Sequence, residues 1–332
     1  MGQMLVNVKA SRTSLSHHFN STYLIRIGVE SLSLKPDGAE YNGADEKFIC
    51  LTCRLWRQLT SMKKILSIQS SVTAGFVGNA VAGPVLLAMG HHPMMVDTIS
   101  LAAHPGYGGR GGGPLADHLF ADQLRGLQDL GETGDIAQIM TGYLGSASQI
   151  DSIVALLTSW RAEAGGHYIL DPVMGDAGRL YVSNDLADGI HTRLLPLADI
   201  ITPNQFELAQ LSGTDIAGRD SAADAGGLLL SQHALTAIII TGVANTGHRS
   251  EIGDMLVMRD GTQIWHPADG TAKNVAGGGD LLTALFSGYL ASGQALPDAF
   301  SRASATAHTI IAASPTPRDL ALLENLKLVS AS

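Results

Sequence analysis

Residues 199–207 read Asp-Ile-Ile-Thr-Pro-Asn-Gln-Phe-Glu, and the backbone they specify changes character within those few positions. Asp199–Ile201 is a short β-branched run of the kind that forms a buried strand. Thr202 and Pro203 end it, and Asn204 with Glu207 three residues later has the spacing of a capping box that opens a helix. A strand feeding directly into a capped helix is the junction from which parallel sheets are assembled.

The same junction recurs on both sides of this stretch. Upstream, Tyr168–Leu170 reads as a strand that ends at Asp171-Pro172, and it follows a helical spacing of Ile150, Ile153, Val154, Leu157 and Trp160. Further back lie an apolar strand at Ile136–Met140, a helix near Leu115–Leu130, a strand at Met94–Ile99, a helix at Gly78–Met89 and a strand at Ile65–Ile68. Downstream come strands at Ala237–Ile240 and Met255–Met258, then helices at Gly279–Ala291 and Pro297–Ala313. The expected class is α/β, with a mostly parallel central sheet and helices on both faces. In such sheets ligands bind just past the carboxyl ends of the strands.

Composition narrows the function classes. The 332 residues are 45% apolar and 15% charged, which suits one large α/β domain. A net charge of −9 argues against a nucleic-acid partner. No run of 18 apolar residues occurs, which argues against a membrane span. Two cysteines cannot form a disulfide framework, so a reducing, cytoplasmic setting is expected. They form a C-x-x-C at Cys50 and Cys53, without the second pair that a zinc ribbon needs. Residues 1–61 carry seven Lys/Arg against five Asp/Glu and lack sustained periodicity, whereas Met62-Lys63-Lys64 leads straight into a strand. The expected organisation is a poorly ordered N-terminal extension over 1–61, with a catalytic domain over 62–332. The acid-free first 29 residues also suit a transit peptide, a reading set second to a plain upstream extension.

The residues that could carry chemistry sit where the strands end. No G-x-x-x-x-G-K-[ST] occurs, which excludes a P-loop. A G-x-G-x-x-G at Gly106, Gly108 and Gly111 falls in a glycine-rich stretch ending at Pro114, and reads as a mobile substrate-covering loop, not a dinucleotide fingerprint. Gly277-Gly278-Gly279-Asp280 opens a helix, so amides and helix-start charge combine into a phosphate-sized anion site. Asp280 is either a first-turn carboxylate of that helix or a base for a hydroxyl attacking phosphorus, held ionised by the helix start. Asp171 and Asp176 offer hard oxygen ligands of the kind that Mg²⁺ bridging ATP phosphates requires, or else an Asx turn and a surface acid. Asn204 and Glu207 are equally well explained as a capping box alone. Gln69-Ser70-Ser71 places hydroxyls at the tip of the first strand, and His104 and Tyr107 flank the glycine-rich loop.

Together these segments resemble the pyridoxal (vitamin B6) kinases of the ribokinase superfamily. The resemblance runs through Ile65–Asn79 (ILSIQSSVTAGFVGN), His104-Pro105-Gly106-Tyr107, Asp171–Asp176 (DPVMGD), Leu180-Tyr181-Val182, Pro196–Glu207 (PLADIITPNQFE) and Gly277–Asp280, in order across about residues 62–315. It implies a ribokinase-like three-layer sandwich that phosphorylates the 5′-hydroxymethyl of pyridoxal, and of pyridoxine or pyridoxamine, with ATP. It implies Mg²⁺, a monovalent cation (K⁺ or Na⁺) and a homodimer. Carried over by position, Asp280 would be the catalytic base, with the anion hole at Gly277, Gly278 and Gly279. Ser70, His104, Pro105 and Tyr107 would face the pyridine ring. Asp171, Thr202, Asn204, Glu207, Thr241 and Gly242 would form the ATP region, with Asp176, Asp171 and Thr202 towards metal.

Three positions depart from the pattern. Many relatives have His where this chain has Ser71, Thr where it has Pro105, and Thr or Ala where it has Gly278. The first two changes bear on vitamer preference, and the third leaves the backbone donors in place. The alternatives are a hydroxymethylpyrimidine kinase of thiamine synthesis, in which Cys commonly stands where Asp280 does, and a non-catalytic pyridoxal-phosphate binder. Asp280 counts against the first, and the retained Asp280, Asp171 and Asp176 count against the second.

Overall fold

Ile65 points into one apolar core, and Leu66 and Ile68 into a second on the opposite face. This alternation belongs to β1 (Lys64–Ala74) in a computed structural model that describes residues 62–109, 111–245, 251–268 and 274–329. The expected extension at 1–61, with its Cys50–Cys53 pair, lies outside the described residues. After β1 come α1 (Asn79–Ala88), β2 (His92–Ala103), β3 (Gly112–Pro114), α2 (Asp117–Asp129), β4 (Ile136–Thr141), α3 (Gln149–Glu163) and β5 (His167–Leu170). A small hairpin of β6 (Gly175–Asp176) and β7 (Arg179–Leu180) precedes α4 (Asn184–Gly189), β8 (Ile200–Ile201), α5 (Gln205–Ser212) and α6 (Arg219–Gln232). The rest is β9 (Ala237–Asn245), β10 (Glu251–Met258), β11 (Gln263–Pro267), α7 (Gly278–Ala291), α8 (Leu296–Ala313) and α9 (Leu322–Asn325).

The main sheet runs β11-β10-β9-β8-β5-β4-β1-β2-β3. From β9 to β2 every neighbouring pair is parallel, with Leu66 beside Ile139, Leu170 beside Ile201 and Ile201 beside Ile238. These strands are continuous apolar runs because both faces are covered. One core joins the sheet to α2, α3, α5 and α6 through residues such as Phe120, Trp160, Leu208 and Leu229. The other joins it to α1, α7 and α8 through Val85, Leu285, Phe286 and Ala303. The result is the three-layer sandwich expected from the βα junctions.

Three features differ from the sequence-based expectation. The end of the glycine-rich loop is an edge strand, β3, antiparallel to β2. Its three residues present no side-chain alternation that could have signalled it. β10 runs antiparallel to β9 and β11 antiparallel to β10, so the sheet ends in a meander; the strand at Met255–Met258 was expected, but β11 was not. Helix α6 was not anticipated, because Ala and Gly supply much of its buried face.

The chain leaves β1 for β2 on one side and returns to β4 on the other, so the strand order reverses at β1. That crevice is where a ligand site belongs in a wound sheet. A register irregularity between Gln69 and Ser71 kinks β1 in its C-terminal half, near this place.

Candidate active site

The turn before α7 closes against the turn before α1, and two glycines make this possible. Gly277 has φ +88°, and a Cβ there would collide with the Phe76 carbonyl oxygen. Gly78 has φ +55° and ψ −132°, and a Cβ there would run into the backbone and hydroxyl of Ser70. The Gly78 N–H donates to the Asp280 carboxylate. Ser70 on β1 and Asp280 in the first turn of α7 are thus linked through Gly78. Beneath them Ser67 Oγ donates to Asn79 Oδ1 (2.7 Å), Gln69 Nε2 donates to Ser67 Oγ (2.8 Å) and Asn79 Nδ2 donates to Asp97 Oδ1 (2.7 Å). This buried network holds the middle of β1 in place, since each polar group would be costly there unpaired.

A cavity of about 940 Å³ opens from this point along the strand ends. Asp171, Asp176, Thr202, Asn204, Glu207, Thr241, Gly242, Gly277, Gly278, Gly279 and Asp280 all line it. Eleven expected residues from four segments (171–176, 202–207, 241–242 and 277–280) thus share one wall. The Gly278 N–H donates to Val275 O (3.0 Å), so this amide is spent within the turn, and the expected anion hole narrows to Gly277 and Gly279. A side chain at 278 would meet only the end of Ile311, at 3.1 Å from Cδ1.

The carboxylates are held in different ways. Asp171 is buried, with Thr283 Oγ1 3.4 Å from its Oδ2, and Thr283 Oγ1 lies 2.9 Å from Thr202 Oγ1. Burial pushes the Asp171 carboxyl well above the ordinary range, and the nearby Glu207 and Asp280 charges add to this. Asp176 is exposed on the β6–β7 turn and accepts from Asn274 Nδ2 (2.9 Å). Glu207 is buried and pushed up to about 7 by burial, which the backbone N–H groups of Asn204 and Met174 oppose. The capping box is present: Glu207 N–H donates to Asn204 Oδ1 (2.9 Å) and Asn204 N–H to Glu207 Oε2 (2.9 Å). Glu207 Oε1 also accepts from Met174 N–H (3.0 Å), and Asn204 Nδ2 donates to Gly175 O (2.9 Å). These two side chains hold the Asp171–Asp176 loop onto the start of α5.

Asp280 is half-buried, and burial raises its carboxyl above the usual value while the Gly78 N–H pulls it back. This corrects the expectation that helix-start charge alone sets its state. Desolvation at the cavity floor is the larger effect.

Sequence reasoning missed several residues on this wall. Asp254 is buried, accepts from the Gly242 N–H (3.1 Å) and lies 2.9 Å from His308 Nε2. Thr283 and Asn274 support the two aspartates described above. All four come from strand interiors, helix interiors or a loop without a motif. The remaining expected residues stand apart from this cavity. His104 is buried and caps the short turn Pro105–Tyr107, accepting from the Gly106 N–H at Nδ1 (3.1 Å). Gly75, past the tip of β1, packs against both His104 and Tyr107, so this turn lies beside the strand that carries Ser70.

Among the described residues no three His, Cys, Asp or Glu side chains form a metal cluster. The donor set nevertheless fits Mg²⁺, which takes one or two carboxylates and completes its shell with water and substrate phosphates. Raised carboxyls crowded into one cavity are a further mark of such a site.

Comparison with known proteins places this arrangement. Residues 84–321 match a family model described as phosphomethylpyrimidine kinase. A pyridoxal kinase of Rubrobacter xylanophilus is 32% identical over 254 residues, covering 74% of this chain and 86% of its own. A pyridoxine/pyridoxal/pyridoxamine kinase of Bordetella avium is 34% identical over 247 residues, 72% of this chain and 81% of its own. The structure of a Leishmania donovani pyridoxal kinase in complex with ADP and pyridoxamine superposes with a TM-score of 0.73 at 26% identity, covering 80% of this chain and 95% of the other.

Proposed function

The chain belongs to the pyridoxal kinases of the ribokinase superfamily, and on that footing we propose how its residues divide the work. It is an ATP-dependent kinase that phosphorylates pyridoxal in vitamin B6 salvage. The reading of the site that follows is supported above all by one juxtaposition. Asp280 lies in the first turn of α7, beside the Gly277 turn, and accepts from the N–H of Gly78, whose α-carbon packs against Ser70.

In this reading pyridoxal lies between Ser70 and the His104–Tyr107 turn, with its 5′-hydroxyl towards Asp280. Pro105 opens that turn and fixes its backbone. The Asp280 carboxylate accepts the hydroxyl proton as the oxygen bonds to the γ-phosphorus and ADP leaves. A carboxyl raised by burial is better matched to that task than one at its ordinary value. The amides of Gly277 and Gly279, with the helix start behind them, hold the transferred phosphoryl. Thr241 and Gly242 line the nucleotide's course along the strand ends. Asp171 and Asp176, with the Thr202 hydroxyl behind them, would hold Mg²⁺, which supplies charge neutralisation at the phosphates when bound. Glu207 and Asn204 keep that loop in place, and a monovalent cation (K⁺ or Na⁺) belongs to the same acidic region. We assign the protein to the cytoplasm as a homodimer; no helix among the described residues is long and apolar enough to cross a membrane.

Asp280→Asn tests the assignment, because Asn keeps the shape and loses the base. The expected result is a kcat for pyridoxal lower by roughly 10²–10⁴-fold with the KM for ATP little changed. If Asp280 only serves the helix start, stability shifts by about 1 kcal/mol or less and turnover stays within a few-fold of the parent.

A further inference from the structure

The loop after α8 reaches both halves of the site. Pro317 O accepts from the Ala276 N–H (2.8 Å), the residue before the phosphate turn. One position later, Arg318 O accepts from His104 Nε2 (3.0 Å). His104 Nδ1 already accepts from Gly106, so this ring is the neutral tautomer with its proton on Nε2, and both nitrogens are committed. The Tyr107 hydroxyl donates to Asp319 Oδ1, and the Arg318 guanidinium lies over the Tyr107 ring, 4.4 Å from its centre. The loop is itself braced. Thr316 Oγ1 donates to Asp319 Oδ2 (2.8 Å) and accepts from the Asp319 N–H (3.1 Å), and at its base Ser314 Oγ accepts from the Ala321 N–H (3.0 Å).

We infer that Thr316–Asp319 is a strap that sets the substrate turn at His104–Tyr107 in register with the phosphate turn at Gly277, and that Arg318 and Asp319 are positioning residues for pyridoxal. The inference rests on reading His104 and Tyr107 as the substrate side. Two mobile turns would otherwise have to be ordered at each binding event, and that ordering entropy would be taken from substrate affinity. Consecutive strap residues grip the two turns, so a shift of one is passed to the other through a single peptide. Arg318 acts on the face of Tyr107 and Asp319 on its hydroxyl, which together define the plane and direction of that ring.

The test uses the full chain and the variants Arg318→Ala, Asp319→Ala, Asp319→Asn, Tyr107→Phe and the double variant Tyr107→Phe with Asp319→Ala. The KM for pyridoxal is expected to rise about tenfold in Asp319→Ala, the scale of one lost hydrogen bond to a charged group, with kcat and the KM for ATP within about twofold. Asp319→Asn keeps an acceptor for the tyrosine and should stay near the parent. The double variant should be no worse than the worse single one, since both remove the same bond. A second measurement needs no substrate. The amide hydrogens of Gly106, Tyr107 and Gly108 should exchange faster in Arg318→Ala and Asp319→Ala than in the parent. An unchanged KM for pyridoxal in Asp319→Ala, or unchanged exchange in these amides, overturns the strap. If the parent fails to phosphorylate pyridoxal, the reading of the substrate falls, while the exchange rates still decide whether the strap exists.

Discussion

Asp171, Glu207 and Asp280 line one cavity, and burial pushes each of their carboxyls upward. Desolvation is the largest cause for all three, and several raised carboxyls in one cavity are a common mark of a functional site. Ser71, where many relatives carry His, is half-buried one residue beyond Ser70 on β1. Ser71→His is expected to change the KM for pyridoxal more than kcat, because a ring at this position on β1 alters binding in ground and transition states alike. Steady-state kinetics on both proteins checks this, and a change confined to kcat would give the position a different role. Gly78→Ala should be more damaging: its Cβ would strike Ser70 and its φ disfavours any side chain, a strain of about 1–3 kcal/mol. Turnover should fall with it, since the same glycine spaces Ser70 from Asp280, and parallel melting and kcat measurements would show both losses. At this scale the sequence was most readable where acids and glycines follow strands. It was silent on Asp254, His308 and Asn274, because their roles depend on partners that only the folded sheet brings near.

Helix α7 is apolar on nearly every side, since α1, α8 and the sheet enclose it, and this burial holds Asp280 in place. His91, after α1, joins the two helices through Nε2, 2.9 Å from Gly288 O and 3.1 Å from Ser292 Oγ on α7 and its end. Burial lowers its affinity for protons below that of an ordinary histidine, which the bond to the Gly288 carbonyl only partly offsets. Below about pH 6.5 the unfolded chain therefore binds a proton that the folded chain resists. Stability present above that pH is lost as pH falls, by at most about 1.4 kcal/mol per unit for one proton. Melting curves from pH 7.5 to 5.5 should fall less steeply for His91→Gln than for the parent, whatever the offset between them. Equal slopes would show that His91 is not the acid-sensitive group. The main helices and parallel strands were legible because their apolar periods are long or continuous. The edges were not: β3 is too short to show a period, the strand pattern of β10 does not disclose its direction, and β11 was not anticipated.

For the whole molecule, the junction at residues 199–207, repeated along the chain, was enough to specify a covered parallel sheet, and the strand-end rule then located the cavity. The part that resisted reading was a long-range contact: the C-terminal loop that reaches the His104–Tyr107 turn is more than 200 residues away in sequence, as the His104–Arg318 separation of 214 shows. A chain beginning at Met62 contains every residue assigned to the site. It is expected to fold and to phosphorylate pyridoxal about as well as the full chain, and insoluble or inactive protein would tie residues 1–61 to the domain. The central claim is best tested on the full chain with MgATP, by following ADP release and identifying the phosphorylated product with pyridoxal, pyridoxine, pyridoxamine and hydroxymethylpyrimidine in turn. The account predicts pyridoxal 5′-phosphate, formed with a kcat/KM well above that for hydroxymethylpyrimidine. Turnover confined to hydroxymethylpyrimidine, or no phosphorylation of pyridoxal above background ATP hydrolysis, would contradict it.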